Sequence, residues 1–308
     1  MNHSTDAQPS PSSPQQIPCA DQPETSACEV NTQRQHYGVR DAACQAAAQG
    51  GGENYFSAFA LLLHASPFQI AILSALPQLV GVVAQLASVK LLQYLRLPSR
   101  LLIAGGRAQA FCWLPILSLP LIAPEHGSWL LIGFAMLYFG FGHVTTPVWN
   151  SLLVDVAEAD RRGAYFARRA RTTALTSFLA LGLAGAILTL GQRWDMSWIG
   201  FLIIFLGAAA ARLGATTCQT HVSRMMPVHR PDAPHGFRHI LAHAGSGDFR
   251  RFLTFSGLMH FAVMLSGPFF VIYLLRDLHW SYLQYAGWMA SSISAQFLTL
   301  GPWGRIGD

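Results

Sequence analysis

Charge is scarce in this sequence. Asp, Glu, Lys and Arg make up only 11% of its 308 residues, against about 25% in an ordinary soluble domain. A single lysine, Lys90, accompanies 19 arginines. Together with 52% hydrophobic residues, this excludes a disordered chain and weighs against a water-soluble two-domain enzyme. No Gly-Lys-Ser/Thr phosphate loop occurs, which argues against direct ATP drive. No Ser/His/Asp or Cys/His nucleophile arrangement is recognisable, so the chain is not expected to be an enzyme and no cofactor is expected. The five cysteines (Cys19, Cys28, Cys44, Cys112, Cys218) are odd in number and lack metal-type pairing, and read as reduced thiols outside any disulfide framework. The N-terminus has no basic segment followed by a short apolar run and a small-residue cleavage site, so no signal peptide is expected.

What is abundant is long apolar runs. Residues 1–41 are polar, rich in Pro, Ser, Gln and Thr, and read as a disordered cytoplasmic tail. Beyond them, runs of 18 to 25 residues recur, the length that crosses about 30 Å of hydrocarbon. Eight spans are predicted, at about 42–65, 68–94, 101–123, 129–154, 171–190, 197–217, 252–275 and 282–303. They lack the polar face of a soluble bundle helix. The expected class is an all-α integral membrane protein, with a six-helix bundle at 42–217, a cytoplasmic linker at 218–250 and a partial second bundle at 251–308.

Arginine placement predicts the orientation. With the N-terminus inside, 18 of the 20 basic residues fall in inner loops and flanks, and only Arg193 and Arg276 fall outside. That split predicts a multi-pass protein of the plasma (inner) membrane with a cytoplasmic N-terminus. The arginines lie between apolar runs rather than on one soluble face, so the charge of +5 points to the bilayer as partner and not to nucleic acid.

The sequence also carries a weak internal repeat. An ungapped shift of 211 residues lays the last two spans over the first two. Phe59 then meets Phe270, Leu63 meets Leu274, Ser66-Pro67 meets Asp277-Leu278, and Gln85 meets Gln296. Six spans, an inner loop and a second set resemble the organisation of the major facilitator superfamily of transporters. Gly304-Arg305-Ile306-Gly307-Asp308 resembles the start of that family's loop signature. The stretch from Pro147-Val148-Trp149-Asn150-Ser151 through Asp155 and Arg162-Gly163 to Arg168-Arg169 resembles the junction of its fourth and fifth helices in one bacterial branch. Ala65-Ser66-Pro67-Phe68-Gln69-Ile70 resembles the first outer turn, and Gly267-Pro268-Phe269-Phe270 the seventh helix. The resemblance covers about residues 42–308. It departs from the family in the first-half loop signature, where Gln93 and Leu97 replace Gly and Asp. It departs also in span number, since the family usually has twelve helices. The chain therefore reads as a transporter truncated after its eighth helix.

Several polar residues inside apolar runs are candidates for chemistry. Glu53 lies about 16 Å into the first predicted span, near the midplane, where a carboxylate is costly and marks an ion or proton path. The competing reading is a late helix start, with Glu53 at the inner interface beside an arginine. Gln49, Asn54, Gln85, Asn150, His143, His260 and Gln296 are further candidates for a solute and proton pathway, with interhelical hydrogen bonding as the plainer alternative. By resemblance, Asp155 with Arg162, Arg168 and Arg169 forms a cytoplasmic gate of ion pairs, to which Gly304 and Asp308 belong as part of the loop signature. His235, His239 and His243, spaced by four near Cys218, His221 and His229, share one face of a helix. No carboxylate or second cysteine completes the set, so no metal is expected. Gly182, Ala186 and Ala208 to Ala211 read as packing positions, and Trp129, Trp194, Trp198 and Trp280 as interfacial anchors.

The functional expectation is a secondary transporter moving a small solute by alternating access, with protons as coupling ion. The alternative is a non-transporting membrane protein: an inactive fragment, a sensor or an assembly subunit, with a homodimer supplying the missing helices. A membrane-embedded enzyme ranks last.

Overall fold

The computed structural model describes residues 23–94, 98–123, 125–156, 162–225 and 247–307. Every regular element among them is helical. Five helical stretches are long and apolar enough to cross a membrane: Pro67–Ser88, Pro98–Ile122, Gly127–Val156, Arg162–Arg193 and Ser197–Arg224. Their outer faces carry exposed large apolar side chains, such as Leu79, Val82, Val83 and Leu86 on one helix and Leu175, Leu179 and Leu183 on another. Water would make these faces unfavourable, and lipid makes them neutral.

In chain order the helices are α1 (Pro23–Gly51), a 3₁₀ turn (Glu53–Tyr55) and α2 (Phe56–Leu62), then α3 (Pro67–Tyr94). There follow α4 (Pro98–Phe111), α5 (Trp113–Ile122), α6 (Gly127–Val156), α7 (Arg162–Arg193) and α8 (Ser197–Arg224). The last two are α9 (Gly247–Ile272), which runs into a π-helical turn at Tyr273–Asp277, and α10 (Tyr282–Gly307).

Of the eight predicted spans, those at 42–65, 252–275 and 282–303 are not among the five membrane-length stretches, and two boundaries differ from the sequence reading. Residues 23–41, read as part of a disordered tail, form the first two thirds of α1; residues 1–22 lie outside the described part. Their polar composition suggests solvent, but Gly38, Asp41 and Ala42 are buried against other helices, so long-range packing overrides the local signal. The sixth span ends at Arg224 rather than near 217, which moves the helix end well away from Arg212 and removes that residue from the inner-flank charges.

Breaks in the helices have local causes. Pro115 has no N–H to bond the Phe111 carbonyl, and α4 and α5 part there at Cys112. The first span breaks after the triplet Gly50-Gly51-Gly52, where it crosses two neighbours at close range. A Cβ on Gly50 would lie 2.5 Å from the Ser177 carbonyl oxygen of α7. One on Gly52 would lie 2.6 Å from Ala208 of α8 and 2.7 Å from the Trp113 ring. Because the obstacle at Gly50 is backbone, Gly50→Ala is expected to lower unfolding stability by about 1–3 kcal/mol. Gly51→Ala, whose Cβ would meet nothing nearer than 3.8 Å, serves as control, and thermal unfolding in detergent compares the two.

The packing partners form a pattern. The first span (α1–α2) packs on α7 and α8; α6 packs on α3 and α4; α4 packs on α8. Exchanging the first three spans with the next three, in order, maps these five contacts onto one another, while the contact of α7 with α8 has no counterpart of similar extent between α3 and α4. Beyond these, α10 packs on α7 and α9 packs on α3. Tyr55 meets Tyr285 edge-on at 5.9 Å, and the backbone N–H of Leu283 donates to Thr189 Oγ1 at 3.0 Å.

The outer turns repeat as well. After the first span His64 takes φ 55°, and after α9 His279 takes φ 52°, the left-handed conformation that ends many helices. Two residues later Ser66 and Ser281 form capping boxes. Their N–H groups donate to Gln69 Oε1 and Gln284 Oε1, both at 2.8 Å, and Gln69 and Gln284 donate back to the serine hydroxyls at 3.2 and 3.3 Å. These serines are 215 positions apart. The ungapped shift of 211 therefore misplaces the second turn by about one helical turn: Ser66 corresponds to Ser281, not to Asp277.

Candidate functional site: a buried polar layer

Two apolar clusters fill the bundle. One is aromatic, where Phe56 stacks on Trp113 at 5.0 Å and Trp113 meets Tyr138 and Phe205 at 5.1 and 4.9 Å. The other gathers Leu102, Val148, Trp149, Leu153, Val156, Tyr165 and Val222 near the opposite helix ends. Between them, along α4, α6 and α8, lie polar residues: Gln109 between Leu102 and Trp113, Thr145 between Tyr138 and Val148, and Arg212 and Gln219 between Ala209 and Val222. Helix periodicity turns these toward the first span, whose Asp41, Gln45 and Glu53 are spread over about 18 Å of its axis.

A cavity of about 320 Å³ opens in this layer. Its walls include Glu53, Gln109, His143, Trp149, Asn150 and Arg212. Arg212 lies 15 residues after Ser197 in a helix of 28, about 22 Å along the axis, so it sits near the middle of α8. Pro147 in α6 lacks the N–H that would bond the His143 carbonyl, while Thr145 and Thr146 fold their hydroxyls back onto the Gly142 carbonyl at 2.7 and 3.1 Å.

One half of the layer is closed by hydrogen bonds. Asp41, fully buried, accepts from Arg169 Nη2 at 3.0 Å, from Gln219 Nε2 at 3.0 Å and from Gln45 Nε2 at 3.0 and 3.1 Å. Among the described residues, Asp41–Arg169 is the ion pair the structure forms. The other half is more open. Glu53 Oε1 accepts from the Tyr138 hydroxyl at 2.6 Å. Arg212 Nε donates to Gln109 Oε1 at 2.6 Å, and its guanidinium lies within electrostatic reach of both Asp41 and Glu53.

The sequence-derived candidates separate into those the cavity gathers and those it leaves out. Glu53, His143 and Asn150 line it. Gln85 reaches it through His143, whose Nδ1 lies 3.2 Å from Gln85 Oε1. Asn54 is not among the residues lining it, and its backbone carbonyl accepts from the Tyr285 hydroxyl at 3.2 Å. Gln49 is exposed on α1. His260 is exposed on α9, with Nδ1 3.1 Å from the Ser256 carbonyl. The side chain of Gln296 lies outside the described part.

Of the expected gate, Asp155, Arg162 and Arg168 are exposed at the facing ends of α6 and α7. Arg169 turns inward to Asp41 instead of pairing with Asp155. Gly304 is helical in α10, and Asp308 lies outside the described residues, as do His229, His235, His239 and His243. No group of three metal-type ligands occurs among the described residues. Gly182, read as a packing position, has nothing within 4 Å of where its Cβ would be, so its smallness serves no close approach.

Asp41, Gln109, Tyr138, Arg212 and Gln219 escaped the sequence reading. For Arg212 a signal existed, since the depth arithmetic that selects Glu53 selects it equally. For Asp41 the partners are 128 and 178 residues away, and no local pattern announces them. A larger cavity of about 500 Å³ lies between the outer turns, bounded by His64, Gln192, Arg276 and Trp280 among others, but it has no buried charged pair.

Comparison with protein-family models, with curated proteins and with solved structures finds no match to this chain.

Proposed function

We propose that this protein is a secondary active transporter of a small solute, of the major facilitator type, working by alternating access and coupled to protons through Glu53. The observation that carries the reading is the polar cavity beside the middle of α8, held between two apolar clusters and containing a carboxylate and an arginine. Ionisable groups at that depth are costly unless a water-filled path or a ligand uses them. The exchange symmetry of the helix contacts supports the same reading, because transporters of this class nest three-helix inverted repeats within each six-helix half. The recurrence of one outer turn after the first span and after α9 supports a second bundle beginning there. In this scheme the contacts of α10 with α7 and of α9 with α3 are the faces about which the halves rock. The membrane is the plasma (inner) membrane, and the N-terminus is cytoplasmic.

The test is solute-dependent proton movement. Purified protein is reconstituted into liposomes holding a pH-sensitive dye, and small solutes are added outside one at a time. A transporter acidifies the lumen with at least one solute while protein-free liposomes do not. If no solute in a panel of organic acids, amines, sugars and amino acids moves protons or itself, the protein is one of the non-transporting kinds.

A further inference from the structure

We infer that the polar cavity takes the carboxylate of a small organic acid, with Arg212 Nη1 and the indole N–H of Trp149 as its donors. The inference rests on the proposed transport reading for its biological role, but its geometry stands alone. Arg212 is 4% exposed and Trp149 5% exposed, and both line the cavity. Neither Arg212 Nη1 nor Trp149 Nε1 has a hydrogen-bond partner. Buried donors are nearly always satisfied, since leaving one unpaired carries its full desolvation penalty. Both side chains line one cavity, and an acceptor from outside the chain would satisfy them.

No hydrogen bond joins Arg212 to either of the neighbouring carboxylates: Asp41 accepts from Arg169, Gln45 and Gln219, and Glu53 Oε1 accepts from Tyr138. Arg212 is thus a buried cation whose direct partner is the neutral Gln109. A guanidinium N–H and an indole N–H together can serve the two oxygens of a carboxylate, and the guanidinium matches its charge. A phosphate dianion would need a second cation, and Arg169 is engaged by Asp41. Phe139 and Trp149 provide apolar wall for an organic body. Gln219 Oε1, also without a partner, lines the same cavity and can accept from a hydroxyl on the acid.

The experiment follows thermal unfolding of the purified protein titrated with lactate, mandelate or benzoate, each against its primary amide, with sodium chloride and sodium phosphate as further probes. At least one acid is expected to raise the midpoint saturably while its amide does not. Arg212→Gln should weaken that binding roughly tenfold or more. Trp149→Phe, which removes one N–H and keeps the ring, should weaken it by a smaller factor. The inference is overturned if acids and amides act alike, if no acid binds, if chloride or phosphate binds more tightly than every acid, or if Trp149→Phe leaves affinity unchanged. The Trp149 variant carries the test should Arg212→Gln not fold. Liposome flux separates the two ideas. Acid binding without flux overturns transport and leaves the site. Flux of neutral solutes without acid binding does the reverse.

Discussion

Glu53→Gln is expected to reduce proton-driven uptake to the level of protein-free liposomes while leaving the protein folded. Glutamine keeps the size of the side chain and an oxygen that can accept from Tyr138, whose hydroxyl lies 2.6 Å from Glu53 Oε1. It loses only the ability to carry a proton. A carboxylate at this depth must be neutralised by a proton or by a nearby cation, and Arg212 is the guanidinium within reach besides its action on Asp41. Proton and solute can therefore compete for one electrostatic balance: with a proton on Glu53, Arg212 is free for an anionic solute. In the variant that exchange stops, but solute-for-solute counterflow, which needs no net proton movement, should persist. Uptake that still follows an imposed pH gradient in Glu53→Gln would remove Glu53 from the coupling mechanism.

Asp41→Ala is expected to have the largest effect on stability. Its carboxylate is fully buried and receives bonds from three side chains on three helices. Truncating one partner of a buried ion pair leaves the other charge uncompensated, at a cost of about 3–5 kcal/mol. Arg169 keeps 22% side-chain exposure, so the lower end of that range applies. The amides of Gln45 and Gln219 also lose their acceptor. Asp41→Asn, which keeps the shape and one acceptor oxygen, should cost distinctly less. Chemical unfolding in micelles measures both, and an Asp41→Ala protein within about 0.5 kcal/mol of the parent would mean the network does not hold α1 to α7 and α8.

Part of this arrangement is written locally. The apolar runs from 67 onward, the prolines that start and break helices, and the Ser-x-x-Gln caps at Ser66 and Ser281 each act within a few residues, and so are legible in the chain. Glu53 was legible as a carboxylate inside an apolar run, but the count that gave its depth began at 42, and α1 begins at Pro23. The start of the first helix was not, since the polarity of residues 23–41 is compensated by partners far along the sequence.

The sequence by itself determined an all-helical protein with helices long and apolar enough to cross a membrane and polar groups within them. Tertiary structure alone decided which of those groups meet. Arg168 and Arg169 are adjacent and chemically identical, yet Arg168 faces out while Arg169 reaches Asp41. The difference is a 100° step around a helix, set by how α7 is rotated against α1. Arg212 was likewise one more basic residue until the packing of α8 on α4 and α1 buried it and left its Nη1 without an acceptor. Pairing across helices depends on rotation and crossing position, which are fixed by contacts between residues more than a hundred positions apart.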